Sequence, residues 1–64
     1  MKAIIEIEMD NAAFEDENNT YEVCRILRKL AAKLELGGEL MEDCDETLRD
    51  INGNNVGYFR VEGD

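Results

Sequence analysis

The chain has 64 residues, with 16 Asp+Glu against 7 Lys+Arg and a formal net charge of −9. That length supports one domain at most, residues 1–64, burying only about 60% of its unfolded surface, and so acidic a chain repels nucleic acid and anionic membrane while attracting basic protein surfaces. The sequence contains no His and no Ser, which excludes Ser–His and Cys–His nucleophilic machinery and imidazole zinc sites within one subunit, so a protein that is not an enzyme and carries no cofactor is expected.

Met1, Ala3, Ile5, Ile7 and Met9 alternate with Lys2, Ile4, Glu6 and Glu8. That period of two predicts a half-buried strand, with Ile4 the one break on its outer face. Because the segment alternates, it does not read as a signal peptide, and no stretch approaches membrane-spanning length. Residues 10–19 hold no sustained period and read as a loop anchored on the core by Phe14.

A helix is predicted from about Thr20 to Leu36. Asn19 suits the N-cap position, because Glu22 then falls at N3 as in a capping box. On a helical wheel Val23, Cys24, Ile26, Leu27, Leu30, Ala31 and Leu34 share one side. Leu27 and Leu30 are the expected core. Arg25, Arg28, Lys29, Ala32 and Leu36 fall opposite. Gly37-Gly38 supplies a stop that tolerates positive φ.

Residues 39–46 read as an acidic loop over Leu40 and Met41. Two short β runs follow, Thr47–Ile51 and Val56–Glu62, around Asn52-Gly53. Asn-Gly between β runs is a strong hairpin signal. Two registers stay open: a two-residue turn pairs Leu48 with Gly57, and a type I turn with a Gly53 bulge pairs Leu48 with Val56. The order β–α–β–β then gives an α+β domain. Its three-stranded antiparallel sheet has order 1-3-2, with one helix on one face.

The charge is unevenly placed. Residues 20–36 hold Arg25, Arg28, Lys29 and Lys33 against Glu22 and Glu35, so +2, and the remainder carries −11. Arg25–Lys29 and Lys29–Lys33 are like-charge i,i+4 pairs. Such a stripe is either neutralised by the acidic loops of its own chain or aimed at an acidic partner. Glu39, Glu42, Asp43, Asp45 and Glu46 form the acidic counterpart. They read as a solvated loop, as a docking surface that imitates a run of phosphates, or as a weak hard-cation cluster. Tyr21 on the helix and Tyr58 on the last strand are the exposed aromatic candidates for an interface. Asp50-Ile51-Asn52-Gly53-Asn54 imitates the start of a calcium loop. The required Gly and Glu are replaced by Asn55 and Val61, so the hairpin reading prevails. Cys24 and Cys44 read as reduced thiols.

Three stretches carry a resemblance. They are Met9-Asp10-Asn11-Ala12-Ala13-Phe14-Glu15-Asp16, the helix run Arg25-Ile26-Leu27-Arg28-Lys29-Leu30-Ala31, and Leu48-Arg49-Asp50-Ile51-Asn52-Gly53-Asn54 with Val56-Gly57. Through them the chain resembles a set of short, uncharacterised proteins encoded by bacteriophages and prophages. The resemblance assigns no activity and no site residue. It implies a cytoplasmic protein of the infected or lysogenic host. The expected role is an accessory protein that binds a host or phage protein, as a stoichiometric inhibitor of a defence or nucleic-acid enzyme. The alternative is a self-associating structural protein, a homodimer with no inhibitory role.

Overall fold

The computed structural model describes residues 1–63. The elements run in order β1 (Lys2–Ile7), a 3-10 turn (Ala12–Phe14), α1 (Asn18–Gly37), β2 (Asp45–Arg49) and β3 (Asn55–Glu62). The three strands make one sheet of order β1-β3-β2, and both neighbouring pairs are antiparallel. The expected α+β architecture and strand order therefore hold.

Alternation along β1 sorts its side chains by face. Ala3, Ile5 and Ile7 pair with Val61, Phe59 and Gly57, while Lys2, Ile4 and Glu6 pair with Glu62, Arg60 and Tyr58. The first set looks toward α1. Phe14, Ile26, Leu30, Leu48, Val56, Phe59 and Val61 form the core, with Ile7, Ala13, Val23, Leu34 and Cys44 packed against it. Phe14 reaches this core because the 3-10 turn folds back, its N–H donating to the Asn11 carbonyl at 3.0 Å.

The buried ridge of α1 runs Glu22, Ile26, Leu30, an i,i+4 row. Leu27, expected beside Leu30 in the core, is 38% exposed. The helix begins at Asn18, and its N-cap residue Glu17 makes no side-chain cap bond. The Asn19–Glu22 capping box does not form, because the Glu22 carboxylate is taken by Arg25 and Ile51. The helix ends where expected: Gly38 takes φ 85° and ψ −141°, a region open to glycine.

β2 begins and ends two residues before its expected bounds, which places Asp45 and Glu46 in the strand rather than in the loop. Leu40 and Met41 do not pack beneath that loop and are both exposed. The strand stops at Arg49 because Asp50 turns its carboxylate onto the following backbone. Asp50 Oδ1 accepts the N–H groups of Asn52 and Asn54, both at 2.9 Å.

The hairpin combines the two open registers. Gly53 donates its N–H to the Asp50 carbonyl at 3.0 Å with φ 87°, a tight turn ending in a positive-φ glycine. Leu48 nevertheless pairs with Gly57 and Arg49 with Asn55, so Val56 is an extra residue in β3. This second bulge turns Val56 into the core, beside Phe59 and Val61. Of Val56 and Tyr58, only Tyr58 therefore lies on the open sheet face. Gly57 N–H instead donates to Asn55 Oδ1 at 3.1 Å.

Candidate functional site

A polar staple joins the helix to the hairpin loop and sets the frame of the surface around it. Arg25 Nε donates to Glu22 Oε1 at 2.6 Å, and Nη2 to Oε2 at 3.1 Å. The same carboxylate accepts the Ile51 N–H at 2.8 Å, and Arg25 Nη2 donates to the Arg49 carbonyl at 3.3 Å. The Arg25 hydrogen bond holds Glu22 below its ordinary value against the upward push of burial, and the Ile51 N–H adds to the lowering. Glu22 in turn raises Arg25. At Asp50 burial pushes the carboxyl up, and hydrogen bonds from Asn54, Asn52 and Asn11 outweigh it, so its value too is lowered. These bonds fill the mouth of the calcium-like loop with backbone and amide donors, the Asn54 Nδ2 bond at 3.2 Å among them.

Sequence reasoning placed Arg25 with Arg28 and Lys29 on one basic stripe. The structure separates them: Arg25 is spent on the staple, whereas Arg28 and Lys29 are exposed. Lys29 and Lys33 instead line a groove between α1 and β2, and Arg49 closes its rim. Its volume is about 190 Å³, and Ile26, Leu30 and Leu48 provide apolar lining. Within it Lys33 Nζ lies 2.6 Å from Glu46 Oε1, and Arg49 Nη1 donates to the Gly53 carbonyl at 3.2 Å. Glu46, grouped by the sequence with the acidic loop, therefore neutralises part of the basic rim. The i,i+3 spacing of Glu22 and Arg25 marks them as the stripe's one obvious intrahelical pair, and that pair forms. The burial of Glu22 and its bond to Ile51 are what sequence reasoning missed, although Glu22 lies four residues before Ile26 and eight before Leu30, on the buried stripe itself.

The remaining acidic candidates, Glu39, Glu42, Asp43 and Asp45, are exposed and meet no Lys or Arg at ion-pair distance among the described residues. From Met41 onward the backbone of this segment is held by Asp43 N–H to the Val61 carbonyl (3.1 Å), Cys44 N–H to the Met41 carbonyl (3.2 Å) and Val61 N–H to the Cys44 carbonyl (2.9 Å). Among the described residues no three His, Cys, Asp or Glu side chains are placed to hold a metal ion together. Tyr21 is 68% exposed on α1. Tyr58 is half-buried on the open sheet face, with the Arg60 guanidinium 4.7 Å from its ring centroid. Cys24 and Cys44 are free thiols, both half-buried.

Against protein-family models, curated proteins and solved structures the chain gives no match. Among the described residues no helix is long and apolar enough to cross a membrane. The surface thus offers charge arranged on a fixed backbone, one small basic-rimmed groove, and two aromatic rings.

Proposed function

We propose that this is a phage-type accessory protein that acts by stoichiometric binding to a host or phage protein. An enzyme of host defence or of nucleic-acid metabolism is the partner class whose basic surface fits best. The supporting observation is the set Glu39, Glu42, Asp43 and Asp45: exposed, at ion-pair distance from no Lys or Arg among the described residues, and tied to β3 through the backbone at Asp43 and Asp45. Acids on a fixed frame present their charge to a basic cleft with little ordering cost on binding. Among the described residues this charge is spent on no Lys or Arg, whereas Glu22 and Glu46 are spent on Arg25 and Lys33.

The test is affinity capture from phage-infected host cells with the wild-type chain and with a variant carrying Glu39→Gln, Glu42→Gln, Asp43→Asn and Asp45→Asn. A partner enriched by the wild type should be lost by the variant, and its retention should weaken steeply as salt rises. A partner held equally by both chains would remove the acidic surface from the function.

A further inference from the structure

The least guarded element of the sheet is the outer edge of β1. Glu8 N–H donates to the Val56 carbonyl at 2.7 Å where β1 ends. Bonds alternate along an antiparallel ladder, so Glu6, Ile4 and Lys2 bond to β3, and Ala3, Ile5 and Ile7 turn their N–H and C=O groups to the free edge. The strand has no proline, no glycine and no bulge to discourage pairing. The helix packs toward β2 and the 3-10 turn, and Ile5 on the helix side of β1 is left 48% exposed. The other edge differs. On β2 the Arg49 carbonyl already accepts Arg25, and Lys29 and Lys33 flank the strand.

We infer that a second copy of this chain adds its β1 antiparallel to this edge, with the twofold axis at Ile4, to make a continuous six-stranded sheet. The strand's own charge order selects the occupant and the register. With the axis at Ile4, Lys2 of each copy lies opposite Glu6 of the other, on both sides of an Ile4–Ile4 contact. On the helix side Ala3 faces Ile5 of the second copy, small against large, and this pair exchanges both N–H···O=C bonds at each of its two occurrences. Moving the axis to Ile5 sets Glu6 against Ile4 and Lys2 against Glu8, which lies past the end of β1, so only the Ile4 axis pairs the two charges within the strand itself. The edge is therefore complementary to itself in charge, in shape and in backbone donors and acceptors. The acidic surface lies beyond β2, at the far edge of the sheet, so the dimer and the proposed partner occupy different sites.

Sedimentation of the full chain at about 0.15 M salt, with K2E, E6K and the double swap K2E/E6K, tests the register. The wild type should dimerise. Each single reversal places like charges opposite each other twice per dimer and should raise the dissociation constant about tenfold. The double swap should return it to within about threefold, since Glu at 2 again faces Lys at 6. Melting of each variant below the dimerisation range separates an effect on the fold, where Lys2 faces Glu62, from an effect between copies. A wild-type monomer up to about 1 mM, a dimer indifferent to the single reversals, or a double swap no better than either single overturns the inference. Amide exchange on the wild type needs no variant. The Ala3 and Ile5 N–H groups should gain protection as protein concentration rises, and open exchange at every concentration overturns it too.

Discussion

Two buried carboxylates and one glycine carry much of the specificity at the scale of single residues. Glu22 is 3% exposed and serves three donors, two on Arg25 and one on Ile51. Removing it strands a guanidinium and a backbone N–H, so Glu22→Ala should cost about 2 kcal/mol or more by urea unfolding. Its pH signature has a definite sign. Glu22 and Asp50 hold protons less tightly in the folded chain than their ordinary values of 4.5 and 3.8. Their stabilisation is complete above those values and is lost as pH falls through the lowered ones. In Glu22→Gln the urea midpoint should be lower at neutral pH and should drop less than the wild type's on acidification toward pH 3. An equal drop would show that Glu22 takes no part in acid unfolding. Gly57 is held by a different constraint. A Cβ built there overlaps the Glu6 carbonyl oxygen on β1, while one built on Gly37 meets nothing within 4 Å. Gly57→Ala should therefore break the β1–β3 pairing and abolish cooperative melting, whereas Gly37→Ala should be neutral or stabilising by up to about 1 kcal/mol.

The elements themselves were largely legible in the sequence, and the misreadings share a cause. Period-two alternation located β1, the apolar wheel located α1, and Asn52-Gly53 located the turn, since each rests on local geometry. Side-chain hydrogen bonds to the backbone, across the fold at Glu22 and within the hairpin at Asp50, are not visible to a periodicity, and they moved the boundaries. Glu22 bonding to Ile51 removed the capping box, and Asp50 bonding to Asn52 and Asn54 ended β2 early. The bulge at Val56 is the same kind of feature: the Asn55 side chain that satisfies Gly57 N–H takes part in it, and it turns Val56 into the core. Of the candidate interface residues, Glu39, Glu42, Asp43 and Asp45 stayed exposed, while Glu46 was taken by Lys33 and Arg25 was drawn into the staple by that same Glu22. The helix should report its own asymmetry. Leu30→Ala should cost about 2–5 kcal/mol, whereas Leu27→Ala, at a side chain 38% exposed, should cost less than about 1.5 kcal/mol. At the turn, Gly53→Val should destabilise by about 1–3 kcal/mol because φ is 87°. Gly53→Asn, which tolerates positive φ, should recover most of that loss in the same thermal melt.

The whole molecule is thin for its mass. Its accessible surface is 4820 Å², against roughly 4200 Å² for a compact monomer of this size. Its radius of gyration is 12.5 Å, where about 11 Å is usual for such a chain. The excess surface includes Ile5 on the outer strand, Met41 in the loop and Leu36, 91% exposed near the end of the helix. One helix on three strands leaves burial to be completed from outside, and the two proposed surfaces should answer salt in opposite directions. Copies joined through β1 each carry −9, a repulsion spread over the molecule that weakens as the Debye length shrinks from about 30 Å at 0.01 M to about 8 Å at 0.15 M. The Lys2–Glu6 contacts weaken as well, but they involve two short-range pairs, and apolar burial at Ile4 and Ile5 is not screened. Dimerisation should therefore tighten with salt over this range. Binding of a basic partner to Glu39, Glu42, Asp43 and Asp45 should weaken over the same range, because there the net charge attracts. Sedimentation of the chain alone, beside capture of the partner across one salt series, reads both slopes. A dimer that loosened in step with the partner would point to contact between the acidic loop of one copy and the Lys29–Lys33–Arg49 groove of another. That contact is head-to-tail, would extend into longer assemblies rather than close as a pair, and would displace β1 as the self-association surface.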